Sequence, residues 1–163
     1  VPDDYDNYHK LDAGKKYAFV AGTIWFTNID HGRRHEPLNL MTLHDNRKFN
    51  KKLSSKNAYE KYENYDAIEV PYVDAIPKDY DGVLGVPISF LNKHNPEQFE
   101  IVGLGISNSG IEAGVKPYKP EHKMYRKEIQ RRGAVDGDLY MMIDGIVTVP
   151  YARILIRKRK AIK

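Results

Sequence analysis

The residues of this chain best suited to chemistry are cationic. Lys123, Lys127 and Arg131 stand four apart between Glu121 and Arg132, a spacing that gathers their charge on one face of a helix. Arg33 and Arg34 are adjacent in the polar stretch Asp30 to Glu36, and Arg157 and Arg159 belong to the basic end of the chain, Arg157 to Lys163. Such groups donate charge-assisted hydrogen bonds to phosphate. Rows of Lys and Arg are equally common on ordinary solvated faces, so the pattern permits a polyanion partner without requiring one.

Other constellations carry less. His31 and His35 flank Gly32-Arg33-Arg34, with His44 not far along. Two arginines raise the cost of placing a cation there, and the helical zinc motif with its glutamate is absent, so no metal is expected. Glu121-His122-Lys123 has the acid-x-lysine form of some metal-dependent nucleases but lacks a Pro-Asp partner at ordinary distance upstream. No serine sits in a nucleophile elbow and the chain has 0 cysteines, which leaves a covalent intermediate without a carrier and rules out a disulfide framework. Asn95-Pro96-Glu97-Gln98 reads as a helix start, with Asn95 as cap, Pro96 at the first position and Gln98 reaching back in a capping box. Gly82 and Gly85 lack the strand, tight loop and helix of a dinucleotide-type site and read as backbone punctuation.

The elements that must position these residues are mostly strands. Tyr17 to Ile29 is β-branched and aromatic, breaks at Ala21-Gly22, and reads as strand, turn, strand, with Trp25 in the core. Pro37 to His44 predicts a short strand and Asp45 to Lys56 an exposed loop. Tyr59, Tyr62 and Tyr65 recur at intervals of three, either packing their rings on the core or meeting DNA. Ile68, Val70 and Tyr72 alternate as a strand does, and Pro87 to Leu91 and Phe99 to Ile106 predict two more strands around the capped helix. Ser107 to Pro120 reads as loop. The helix Glu121 to Arg132 follows, with Pro120 at its start, Gly133 past its end, and Tyr125 and Ile129 facing the core. Leu139 to Ile143, Asp144-Gly145 and Ile146 to Arg157 then read as a hairpin with a two-residue turn. In its second strand Ala152, Ile154 and Ile156 share one face, and Tyr151, Arg153, Leu155 and Arg157 share the other. The fold class is α+β, mostly antiparallel, with one or two helices.

At 163 residues and 41% hydrophobic content the chain can bury a core and is most simply one domain. Its 26 Lys and Arg against 22 Asp and Glu leave a charge of +4, and this mild excess hides acidic clusters at Asp3 to Asp6 and Asp66 to Asp81 beside basic ones at Arg47 to Lys61 and Lys116 to Lys163. No apolar run approaches the roughly 20 residues that span a bilayer and no signal peptide is evident, so a soluble protein with no membrane partner is expected, and the 0 cysteines fit a cytoplasmic, reducing setting. The chain begins Val-Pro-Asp-Asp without an initiator methionine, which points to a truncated or processed polypeptide.

Four pieces, in order, carry a resemblance: WFTNID at Trp25 to Asp30, YEKYENYDAIEV at Tyr59 to Val70, DYDGVLGVPISFLNKHNPEQFEIVGL at Asp79 to Leu104, and VPYARILIRKRK at Val149 to Lys160. Together they resemble the C-terminal part of an EcoRI-type adenine-specific DNA methyltransferase. The resemblance implies the C-terminal portion of an α/β methyltransferase, with residues 17–30 as late strands of its sheet and residues 31–163 completing that sheet and recognising DNA. It implies an enzyme of a restriction-modification system that moves a methyl group from S-adenosylmethionine to adenine. The partners would be double-stranded DNA and the N-terminal half of the same enzyme. Arg33, Arg34, Lys123, Lys127, Arg131, Arg157 and Arg159 would contact the duplex. Enzymes of this chemistry hold the adenine amino group with an Asn/Asp-Pro-Pro-aromatic tetrapeptide. The nearest string here, Asn95 to Gln98, has Glu97 in place of the second proline, and Phe99 comes one position late. The chain alone is therefore expected to contain no catalytic or cofactor-binding residues and to be inactive.

Overall fold

The computed structural model describes residues 8–10, 16–18, 32–53 and 58–160. The chain divides into two units, Val1–Asp30 and His31–Lys163. In the first, β1 (Tyr8–Lys10) pairs antiparallel with β2 (Lys16–Ala18). Trp25 and the second strand expected before Asp30 lie outside the described residues, as does His31.

The second unit is built on a four-stranded sheet in which β3 (Ala67–Glu69) runs parallel to β4 (Val83–Pro87), and β8 (Arg153–Lys158) is inserted antiparallel between β4 and β5 (Phe99–Leu104). The last strand of the chain is thus central. Its sequence accounts for this: Ile154, Leu155 and Ile156 are at most 3% exposed, so the strand must be covered on both faces rather than one. Ile154 and Ile156 pack with Leu84, Val86, Phe90 and Phe99, whereas Leu155 packs with Ala67, Val83, Leu139 and Met141. A register shift between Ile101 and Gly103 bulges β5 at Val102.

A separate hairpin joins β6 (Met141–Ile143) to β7 (Ile146–Thr148). Asp144 and Gly145 both have positive φ, 49° and 77°, as the expected two-residue turn requires. The single long strand predicted from Ile146 to Arg157 is instead two, because Pro150 supplies no ladder donor and the chain leaves one sheet for another there. The predicted strand at Pro87 to Leu91 is likewise displaced: β4 ends at Pro87 and Ile88–Lys93 form 3-10 turns.

Polar stretches read as extended or loop contain helices. No strand forms over residues 37–44, and α1 (Leu43–Phe49) begins there. Its Thr42 cap accepts from the Asp45 backbone N–H at 3.0 Å, Asp45 lies in the first turn, and Arg47 and Lys48 lie in the last, so local charges suit the helix dipole. Asn46 is fully buried and anchors the helix through Nδ2 to the Ala75 carbonyl, 3.4 Å away. Ser107–Glu112 form α2, and Pro120–Glu128 form α3 with Pro120 at its start as expected. α3 stops short of Arg132, and Ile129, expected in the core, is 67% exposed; Tyr125 does pack inward on Tyr118, Tyr140 and Val147.

The tyrosine series packs its rings inward. Tyr59 is buried, its hydroxyl donates to the Ala75 carbonyl at 2.7 Å, and burial pushes its pKa from 10.0 up to about 12. Tyr118 is raised to about 12 for the same reason. Because the folded-state values lie above the unfolded one, these tyrosines contribute stability that is full below pH 10 and is lost as pH rises toward 12. Burial raises Tyr62 and Tyr140 as well, so near-ultraviolet titration should show these four phenols ionising late. Normal titration of every tyrosine in the folded chain would contradict this packing.

Candidate nucleic-acid interface

The helical row of cations is shorter than its spacing implied. Lys123 lies on α3 and donates to Asp136 at 2.9 Å. That bond, with the Tyr118 backbone N–H, holds the Asp136 carboxyl below its ordinary range. Lys127 is exposed on the last turn, whereas Arg131 falls beyond the helix with φ of +52° and leaves the row. A left-handed non-glycine residue costs about 1–2 kcal/mol, so the chain reversal at Arg131 is maintained against local preference. Among the described residues, Lys127, Arg131 and Arg132 have no side-chain hydrogen bond or ion pair.

The basic end of β8 is more engaged. Arg157 reaches Glu100 at 3.3 Å, Lys158 donates to the Lys78 carbonyl at 2.6 Å, and Arg159 donates through Nε to the Pro96 carbonyl at 2.7 Å. These residues and Lys160 line a groove with Asp81, Glu97 and Glu100, so its field is mixed in sign. Arg33 belongs to a 3-10 turn, Gly32–Arg34, in which the Arg34 side chain is half-buried and its Nε has no hydrogen-bond partner. The seven cations read from sequence therefore lie in three places, the Gly32–Arg34 turn, the α3 end and the β8 end.

Three arginines were not visible as site residues. Arg126 is on α3 but three residues after Lys123, so counting in fours passes over it. Its Nε donates to the Gly133 carbonyl at 2.8 Å and its Nη1 to Gln130 at 3.1 Å. Arg132 closes the same loop, its backbone N–H donating to the Arg126 carbonyl at 3.0 Å. Arg153 is sunk against Glu69, with contacts of 2.6, 3.0 and 3.1 Å, and Tyr62 donates its hydroxyl to the same carboxylate. A lone Glu inside Ala67-Ile68-Glu69-Val70 was the available signal, since a carboxylate in a buried strand needs a cation.

The strings nearest to catalytic or cofactor motifs are occupied by the fold itself. Asn95 is buried, its Oδ1 accepts from the Glu97 N–H at 2.8 Å, and its carbonyl accepts from Gln98 and Phe99 at 3.1 and 3.0 Å. The cap is real but closes only a turn. The expected capping box is not formed, because Gln98 pairs with the Leu38 backbone at 2.7 and 2.9 Å. A Cβ on Gly85 would lie 2.2 Å from the Tyr62 hydroxyl, and one on Gly82 would lie 2.6 Å from the Tyr80 ring. The space beside both glycines is filled by tyrosine, so neither forms a cradle that fits S-adenosylmethionine. No group of three or more His, Asp or Glu among the described residues is placed to hold a metal, and none of the described helices is long and apolar enough to cross a membrane.

The chain is 42% identical over 106 residues to Type II methyltransferase M.EcoRI of Escherichia coli, a match covering 63% of this chain and 30% of that protein. It is 39% identical over 108 residues to Type II methyltransferase M.MgeORF184P of Mycoplasma genitalium, covering 63% and 32%. Type II methyltransferase M.MpnI of Mycoplasma pneumoniae is 38% identical over 96 residues, covering 59% and 27%. The chain thus matches about a third of the length of these curated relatives. No solved structure matches it. The family model for adenine-specific methyltransferase EcoRI extends over residues 1–159, nearly the full length, and the chain belongs to that family.

Proposed function

We propose that this chain is the DNA-contacting part of a site-specific adenine DNA methyltransferase of a restriction-modification system. In this reading it is the C-terminal portion of the enzyme: residues 17–30 supply late strands of the methyltransferase sheet, and residues 31–163 complete that sheet and grip the duplex. The observation that carries the reading is a family match over residues 1–159 in a chain where Lys127, at the end of α3, and Arg131 and Arg132, just beyond it, have no side-chain partner among the described residues. Phosphate contacts set register and orientation, and a few polar side chains read base edges. S-adenosylmethionine and the Asn-Pro-Pro-aromatic chemistry belong to the N-terminal half of the same cytoplasmic enzyme, which is this chain's protein partner. Arg33, Arg34, Lys123, Lys127, Arg131, Arg157 and Arg159 remain the first candidates for phosphate, with Lys123, Arg157 and Arg159 exchanging their present protein acceptors for it.

The test is duplex binding across a salt series. With about four phosphates neutralised, the slope of log affinity against log salt should be roughly −3 to −4. The isolated chain should show no methyl transfer in a labelled-methyl assay and no heat of binding with S-adenosylmethionine. A flat salt response at measurable affinity, or no duplex binding at low salt, would remove the DNA-contacting role. Turnover above a protein-free control would overturn the division of labour.

A further inference from the structure

The loop after α3 folds back on itself in a way that gathers two guanidinium groups. Arg126 and Arg132 line one pocket with Gln130, Val147, Thr148 and Val149, and no carboxylate is among its lining residues. We infer that Arg126 and Arg132, held against β7, form a binding pocket for one phosphodiester; this rests on the DNA-contacting role proposed above.

The pocket is organised before any ligand arrives. Gln130 donates through Nε2 to the Val147 carbonyl at 2.8 Å and accepts from Arg126 Nη1 at 3.1 Å, which ties the loop to the hairpin. The second Arg126 bond, from Nε to the Gly133 carbonyl at 2.8 Å, fixes the plane of its guanidinium. Two of five N–H groups are thereby used, and the remaining three are free to meet an anion. Arg132 is brought alongside by its backbone bond to the Arg126 carbonyl and by the left-handed conformation of Arg131. A planar fork suits two phosphate oxygens at once, which an ammonium does not.

The ordinary explanation for arginines here is the helix dipole. The negative end of a helix amounts to about half an elementary charge, and one cation near it suffices. Residues 126–132 hold Arg126, Lys127, Arg131 and Arg132 against Glu128 alone. The excess is several times what the helix end can use, and Arg132 has no protein acceptor for it. The groove at the end of β8 is the weaker anion site by the same reasoning, because Asp81, Glu97 and Glu100 share it.

The experiment uses the full chain, a duplex oligonucleotide and inorganic phosphate. Arg132→Gln removes only a side chain without protein partners, so it should fold normally, and Arg126→Lys keeps the charge while losing the fork. Each should weaken duplex binding uniformly across sequences, and Arg132→Gln should shrink the salt slope by about one unit. Phosphate added to the unmodified chain should shift the Gln130 side-chain amide resonances, and Arg132→Gln should abolish that shift. Duplex binding with both variants unchanged in affinity and slope would overturn the pocket while leaving the DNA-contacting role in place. A phosphate shift at Gln130 without any duplex binding would overturn DNA as the source of the anion and the proposed role with it. Absence of both responses would overturn the pocket outright.

Discussion

Replacing Glu69 by Ala should cost about 3–5 kcal/mol of folding stability, because it strands the charge of Arg153 inside the protein. The Arg153 side chain is 13% exposed and that of Glu69 5%, and they meet at 2.6 Å. In the folded chain the cost of drying both ions is offset by their mutual attraction, by the Tyr62 hydroxyl, and by Arg153 Nη1 donating to the Tyr151 carbonyl at 3.0 Å. Removing Glu69 takes away the attraction and leaves the desolvation. A buried ion pair is nevertheless weak support for stability as a whole. Glu69→Leu combined with Arg153→Met should therefore recover most of the loss, to within about 1–2 kcal/mol of the unmodified chain. Urea denaturation of the three proteins reads both statements. A single Glu69→Ala variant within about 1 kcal/mol of the unmodified chain would mean that water reaches Arg153 and the pair is not dry.

What the sequence discloses follows the range of the forces involved. The Asp144-Gly145 turn and the start of α3 at Pro120 are fixed by residues adjacent in the chain, and both were legible. α1 was not, because its seven residues have no apolar periodicity and its anchor is Asn46 reaching Ala75, 29 positions away. The end of α3 was misplaced because it is set by Gln130 bonding to Val147, a tertiary contact. Helical spacing then carried Arg131 onto a face it does not occupy. The family was legible from sheet segments such as Val149 to Lys160, whose apolar run on both sides of Leu155 also betrays a central strand. Charge alone could nominate Lys123, Arg157 and Arg159 but could not tell that each already has a protein acceptor. It also passed over Arg126 and Arg132, whose juxtaposition depends on the backbone reversal between them.

Gly110→Ala should destabilise the chain by more than about 2 kcal/mol, although helix propensity alone favours alanine over glycine by about 1 kcal/mol. Gly110 is buried on α2, and a Cβ there would lie 1.9 Å from the Gly137 carbonyl oxygen and 2.7 Å from its carbon. These are backbone atoms and cannot rotate away. Overpacking of this kind costs about 1–3 kcal/mol where side chains can yield, and the expected loss is at or above the upper end because here they cannot. The segment that would have to move is itself held: Ser107 N–H donates to Asp138 at 2.9 Å, and buried Asn64 donates to the Asp138 and Lys116 carbonyls at 2.8 and 3.0 Å. Gly137 repeats the constraint from the other side, with φ of +98° and a Cβ position 1.8 Å from the Ser107 carbonyl oxygen. Gly137→Ala should therefore lose at least as much, adding left-handed strain to the collision. The consequence reaches the cationic loop, since Asp136, one residue before Gly137, holds Lys123 on α3. Amide hydrogen exchange in residues 131–138 should accelerate in Gly110→Ala before the four-stranded sheet opens. A stabilised Gly110→Ala, with protection of that segment unchanged, would show that propensity wins and that α2 does not pack against Gly137 as closely as the structure has it.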